Sequence, residues 1–257
     1  MTDHAPSGIP FAEILNRLAD GETLSAADAG AAFDQIMAGA VDPIQTSAFL
    51  TAIRIRGATP HEIAGGVEAM RRAMIPVESA DAEYLVDTAG TGGGLVTTFN
   101  ISTAAAIVAA AAGVPMAKHG NRSFSSRSGS ADVLEALGVR IDLTPEAMAR
   151  VLEEVGIVFM FAPILHPAMR HVGPVRRSLG FRTLMNLLGP LANPAGAQRQ
   201  VVGVSDPEFL HLIVHALKEL GHFRALVVHG EPGMDEVSPM GRTRVAELRD
   251  GGIHEYE

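Results

Sequence analysis

A run of glycines, Gly90, Gly92, Gly93 and Gly94 in the stretch AGTGGG, constrains this chain more than any other feature. The residues before it, Glu83 to Thr88, read as a buried strand, and Asn100 to Ala112 after it read as a helix. A strand that hands a glycine turn straight to a helix N-terminus opens a parallel α/β layer. Glycine lets backbone amides approach an anion closely, and the helix dipole adds positive potential there. A tight turn needs fewer glycines than this, so an anion-receiving loop is the stronger reading. The run is not a dinucleotide fingerprint, because Leu95 stands where the last glycine of GxGxxG would fall. It is not a Walker loop either, because no Gly-Lys-Ser/Thr follows.

The alternation continues beyond it. Val114 to Ala117 reads as a strand ending at Lys118, Ser130 to Leu137 and Pro145 to Val155 as helices, and Ile157 to Phe161 as a third strand. Val201 to Val204, a helix from Pro207 to Leu220, Ala225 to Val228 and a strand from Arg244 to Leu248 complete the α/β pattern. A turn is expected at Asp250 and Gly251, with no closing element after it. Ahead of the glycine run the pattern is helical, near Phe11 to Ala19, Ser25 to Ala38, Pro43 to Ile55 and Pro60 to Met74. Ser25, Asp42 and Thr59 are N-cap types, and Pro43 and Pro60 suit first helical positions. Gly21, Gly39 and Gly57 fall where these helices would end. Helices at His166 to Leu179 and Thr183 to Leu188 are placed to fold back onto that unit. The expected organisation is a small all-helical domain, residues 1–76 completed by 166–188, and a larger α/β domain with a mainly parallel sheet, residues 77–165 and 189–257.

With 257 residues, 47% of them hydrophobic, the chain can bury a sizeable core. A net charge of −9 without a long basic run argues against nucleic acid as a partner. Cysteine is absent, which removes disulfides, thiolate nucleophiles and cysteine-held metals. The first residues, MTDHAPSGIP, lack a leader pattern, and the longest apolar stretch, Ala104 to Val114, is too short to span a bilayer. A cytoplasmic enzyme with no membrane partner is the expectation.

Local clusters therefore read as sites. From Lys118 to Gly138, KHGNRSFSSRSGSADVLEALG, cations, hydroxyls and backbone amides lead to a helix start and suit a polyanion. Asn100, Ser102 and Thr103 open the helix after the glycine loop, as N-caps or as phosphate ligands, and Ser102 could reach a magnesium ion. Asp235 and Glu236 follow the strand Ala225 to Val228, where paired carboxylates are placed to hold Mg²⁺ against a diphosphate. Arg170, Arg176, Arg177 and Arg182 crowd the helical region after His166, and one of them could clamp a carboxylate in two-pronged fashion. His211 and His215 have ligand spacing on a helix but lack a third ligand, and read as ordinary helix-face histidines. Such a set suits a diphosphate-bearing ligand meeting a carboxylate-bearing one, with catalysis by orientation and electrostatics rather than by a covalent nucleophile.

These residues also carry a resemblance. GTGG at Gly90 to Gly93, TFNIST at Thr98 to Thr103, KHGNR at Lys118 to Arg122, SGSADVLEALG at Ser128 to Gly138, HPAMRHVGPVR at His166 to Arg176, NLLGPLANP at Asn186 to Pro194 and MDE at Met234 to Glu236 occur in order through most of the chain. Together they make the sequence similar to the anthranilate phosphoribosyltransferase family. The resemblance implies transfer of a phosphoribosyl group from phosphoribosyl diphosphate (PRPP) to anthranilate in tryptophan biosynthesis, with two Mg²⁺ ions. It also implies a homodimer formed through the helical domain.

By resemblance, Gly90, Thr91, Gly92, Gly93, Thr98, Asn100, Ser102, Thr103, Lys118 and Asn121 would hold PRPP, with Ser125 and Ser126 folding over it. Gly90, His119, Asn121, Met169, Arg176 and Pro190 would line the anthranilate path, with Arg176 as carboxylate clamp. Ser102, Asp235 and Glu236 would serve Mg²⁺. Two departures stand out. The family's glycine motif commonly continues with aspartate and glycine, where this chain has Gly94 and Leu95. Its members also usually run on past residue 257, so a form truncated at the C-terminus, with sheet edges left uncovered, is expected. The rival readings are a non-catalytic phosphometabolite-binding relative and a pyrimidine nucleoside phosphorylase.

Overall fold

The computed structural model describes residues 9–96, 98–123 and 128–257. The chain divides into two compact units, one made of the described residues up to Met74 with His166–Ala192, the other of Ile75–Leu165 with Asn193–Glu257.

The first unit is helical: α1 Phe11–Ala19, α2 Ala26–Met37, α3 Pro43–Arg56 and α4 Pro60–Ala73, with α9 Met169–Leu179 and the short α10 Met185–Leu188 (α5 to α8 belong to the second unit). The start signals act as their chemistry dictates. Ser25 Oγ accepts from the Asp28 amide, Asp42 Oδ1 from the amides of Ile44 and Gln45, and Thr59 forms a capping box with Glu62. Phe33 and Phe49 meet edge to face, with ring centroids 5.3 Å apart, and Phe11 stacks obliquely on Phe49. Gly39 ends α2 at φ 72°, and a Cβ there would also lie 2.6 Å from the His171 ring, so both backbone and space demand glycine.

The second unit carries one seven-stranded sheet in the order β3-β2-β1-β4-β5-β6-β7. The strands are β1 Val86–Gly90, β2 Met116–Gly120, β3 Ile157–Phe161, β4 Arg199–Gly203, β5 Arg224–Gly230, β6 Thr243–Arg249 and β7 Gly252–Tyr256. The first five in that order run parallel, and β6 and β7 add antiparallel at one edge. The helices are α5 Ile101–Ala111, α6 Ser130–Ala136, α7 Pro145–Val155, α8 Ala162–Leu165 and α11 Glu208–Glu219. A helical unit and an α/β unit with a mainly parallel sheet make up the expected fold class.

Several boundaries differ from the sequence reading. Ala82–Tyr84 forms a 3-10 turn, so β1 begins at Val86 rather than Glu83. Strand β2 runs on through Lys118 and His119 to Gly120, because its partner β3 continues alongside as far as Phe161. The helix expected from His166 starts at Met169, after a turn containing Pro167, whereas Ala162–Leu165 forms a helix of its own. The helix expected from Thr183 starts at Met185, and β4 starts at Arg199. A closing element does exist: Asp250 at φ 52° and Gly251 at φ 73° make a two-residue turn that folds β7 back onto β6. Among the described residues no helix is long and apolar enough to cross a membrane.

Candidate active site

In the α/β unit, the carboxyl ends of β1 and β2, the start of α5 and the loop after β5 supply most of the expected ligands. Gly90 closes β1, and Gly92 and Gly93 take φ 68° and 83°, conformations that turn the loop and suit glycine alone. Thr91 is buried instead of open to the loop: its amide donates to Gly203 O at 2.8 Å and its hydroxyl accepts from the Ser205 amide at 3.4 Å, pinning the loop to β4. Thr98 is exposed and bonds the Phe99 carbonyl.

The residues that open α5 behave differently from one another. Asn100 makes no capping bond with its side chain; its Nδ2 reaches across to Ser128 O at 3.1 Å, tying the helix start to the end of the serine-rich loop. Thr103 is only 3% exposed, with its hydroxyl unpaired among the described residues, so it faces the interior. Ser102 stands at the centre. Its hydroxyl lies 3.3 Å from Lys118 Nζ, its carbonyl accepts from Thr88 Oγ1 at 2.9 Å, and its backbone amide bonds Glu236.

Lys118 is buried, and its ammonium donates to Thr88 O at 2.5 Å. Burial pulls its pKa below the usual lysine range, opposed first by Asp87 and then by Glu236. Glu236 is pushed up to about 7, first by burial and then by the like charge of Asp235. Asn121 is exposed and accepts the Arg122 amide on Oδ1 at 2.7 Å. Ser125 and Ser126 lie outside the described residues.

Asp235 rests on glycines. A Cβ on Gly90 would lie 3.0 Å from its Oδ2, and one on Gly203 only 1.7 Å from its carbonyl oxygen. A Cβ on Gly94 would lie 2.8 Å from Asp235 Oδ1. The departure at position 94 thus has a physical account: in this chain the Asp235 carboxylate occupies the room a side chain there would take. Leu95, 84% exposed, donates its amide to Gly233 O at 2.8 Å and lays its side chain against Gly233, fastening the glycine loop to the carboxylate loop.

Among the described residues no cluster of three or more His, Cys, Asp or Glu side chains is gathered for a metal. The oxygen set of Asp235, Glu236 and Ser102 nevertheless suits a hard cation such as Mg²⁺. Two adjacent carboxylates, one with its proton affinity raised by burial and then by the other, would be stabilised by a nearby divalent charge.

The expected anthranilate residues are split. Gly90, His119 and Asn121 belong to the α/β unit, whereas Met169, Arg176 and Pro190 belong to the helical one. Arg176, on α9, is half-buried; burial lowers its pKa, and its guanidinium pairs with no carboxylate among the described residues. His211, read as an ordinary histidine, pairs with Glu255 at 2.8 Å.

Sequence reasoning missed Asp87 and the role of Asn193. Asp87 is fully buried on β1, and its carboxylate accepts from the His119 amide at 3.2 Å, Asn193 Nδ2 at 2.8 Å and Gln200 Nε2 at 3.4 Å. An acid inside a buried strand run, LVDTA, was the available signal.

Residues 12–74 match the glycosyl transferase family, helical bundle domain, and residues 82–257 match the glycosyl transferase family, a/b domain. The anthranilate phosphoribosyltransferase of Rubrobacter xylanophilus is 55% identical over 245 residues, 95% of this chain and 71% of that protein. That of Azorhizobium caulinodans is 51% identical over 247 residues, 96% of this chain and 71% of that protein. Among solved structures, the crystal structure of the Thermus thermophilus enzyme matches with a TM-score of 0.88 at 48% identity, over 94% of this chain and 72% of that one. The Saccharomyces cerevisiae enzyme in complex with PRPP and Mg matches with a TM-score of 0.85 at 28% identity, over 96% of this chain and 72% of that one. With its motifs, both parts of its fold and relatives at this identity in agreement, the chain belongs to the anthranilate phosphoribosyltransferase family.

Proposed function

We propose that this protein transfers the 5-phosphoribosyl group of PRPP to the amine of anthranilate and releases diphosphate. Membership of the family supports the reaction. The observation that carries it onto these residues is the cluster of Lys118, Ser102 and Glu236 at the end of the glycine loop, where a buried cation meets a helix N-terminus and a raised carboxyl. The glycine loop and Lys118 would receive the diphosphate, with backbone amides and the ammonium stabilising the charge that builds as it leaves. Asp235, Glu236 and Ser102 would hold Mg²⁺, two ions in the fullest form of the reading, which would neutralise the departing diphosphate. Arg176 would fork onto the anthranilate carboxylate and so present its amine, with His119, Asn121, Met169 and Pro190 lining the approach. We further propose a homodimer formed through the helical unit, acting in the cytoplasm.

One assay tests the reading. Mixing the protein with anthranilate, PRPP and Mg²⁺ should quench anthranilate fluorescence as the product forms, with release of diphosphate in equal amount. Binding of PRPP without loss of fluorescence would favour the non-catalytic alternative. Release of a free base from a pyrimidine nucleoside with inorganic phosphate would favour the phosphorylase.

A further inference from the structure

Strand β1 lies inside the sheet, between β2 and β4, and its two neighbours treat it unequally. It is registered with β4 over five residue pairs, from Val86 with Arg199 to Gly90 with Gly203. With β2 its registered pairing is Val86 with Met116, although β2 pairs with β3 on its other side over five residues. Further along, side chains span the two strands. Lys118 of β2 donates through Nζ to Thr88 O of β1 at 2.5 Å. Asp87 of β1 accepts the His119 amide of β2 at 3.2 Å. Asn193 Nδ2 joins Asp87 Oδ2 to Ala117 O of β2, at 2.8 Å each. The Asp87 network thus holds β2 at Ala117 and at His119, the residues on either side of Lys118. Asp87 is 0% exposed, and its three bonded partners above are all N–H donors, so both of its oxygens are committed to this bracing.

We infer that Asp87 is a positioning residue for Lys118: a buried carboxylate that fixes the end of β2, so that the ammonium stands at the mouth of the glycine loop. The inference rests on reading Lys118 as a ligand of PRPP. Two signs separate positioning from other roles. By charge alone, removing a buried anion near the site would tighten the binding of a polyanion. By fold alone, the loss would be the same whether or not Lys118 is present.

The experiment is a double-mutant cycle read by calorimetric binding of PRPP with Mg²⁺, using Asp87→Asn, Lys118→Met and the pair. Asp87→Asn puts an amide where three N–H groups expect an acceptor, and should weaken PRPP by about tenfold. In the Lys118→Met background the same change should cost less than about twofold. Unchanged or tighter binding by Asp87→Asn, or an equal loss in both backgrounds, overturns the inference. Should Asp87→Asn fail to fold, Asn193→Ser removes the amide that joins Asp87 to Ala117 and should weaken PRPP by about threefold; unchanged affinity there overturns it. Should the wild-type chain not bind PRPP, the functional reading falls, and the bracing is judged by hydrogen exchange of the His119 amide. That amide should exchange about tenfold faster in Asp87→Asn, or in Asn193→Ser if the former does not fold, and an unchanged rate overturns the bracing as well.

Discussion

The molecule holds a buried acid in its helical unit and a half-buried pair of acids in its α/β unit, and it treats them in opposite ways. In the helical unit Glu62 is 0% exposed and saturated: Oε1 accepts the Leu24 amide and Oε2 the Thr59 amide, each at 2.9 Å, and both oxygens face the Arg56 guanidinium. In the α/β unit Asp235 and Glu236 lie side by side, and the proton affinity of Glu236 is raised by burial and by its neighbour. The saturated acid spends its bonding capacity on joining the start of α4 to the end of α3 and to the residue before Ser25. The crowded pair keeps capacity in reserve, which is what a cation-binding role requires.

The contrast can be broken by substitution. Glu62→Ala should cost about 3–5 kcal/mol of stability in chemical denaturation, because it strands a guanidinium and two backbone amides. A loss below about 1 kcal/mol would mean that Glu62 is not the tie it resembles. Glu236→Gln should do the reverse. The protein should be as stable as the wild type or slightly more so at pH 8, while Mg²⁺ affinity and transfer rate fall by at least about tenfold. A destabilised protein with normal Mg²⁺ affinity would put Glu236 in the same class as Glu62.

Arg176→Ala sharpens the comparison from the cationic side, since Arg56 has a carboxylate partner and Arg176 has none among the described residues. It should raise the KM for anthranilate by about tenfold or more and leave PRPP affinity unchanged. Equal losses for both substrates would remove its assigned role. The smallest effect is invisible at neutral pH. Burial holds the His166 imidazole down to about 4, against 6.5 for the ordinary side chain. The unfolded chain therefore binds that proton first, and stability should fall as pH drops from about 6.5 to about 4. Thermal midpoints across that window should show a shallower acid limb in His166→Gln; an unchanged limb would clear His166 of the effect.

Much of this was legible in the sequence where local chemistry decides structure. Ser25, Asp42 and Thr59 announced helix starts because a side-chain oxygen can satisfy amides only two or three residues away. Gly90 to Gly94, Lys118 and Asp235 stand out as candidates because their side chains, or lack of them, are of a kind that suits an anion or a cation directly. Strand limits were less legible, since they depend on partners distant in the chain: β2 reaches Gly120 only because β3 lies beside it, and β7 exists only because β6 offers an edge. Asp87 was missed for the same reason. Its partners His119, Asn193 and Gln200 are more than thirty positions away along the chain, and no local pattern gathers them. The residue at 94 became intelligible only once Asp235 was seen above it.

Gly203 has no ligand-holding role of its own in this reading, yet a methyl group there would fall 1.7 Å from the Asp235 carbonyl oxygen. The strand and the carboxylate loop are separated by a single hydrogen's thickness. In a saturation library selected for activity, position 203 should therefore tolerate nothing but glycine and would masquerade as a catalytic residue. An engineer wishing to re-aim the carboxylates would also find that redesigning their own loop is not enough. The floor on which that loop stands belongs to β4, and the two would have to be rewritten together.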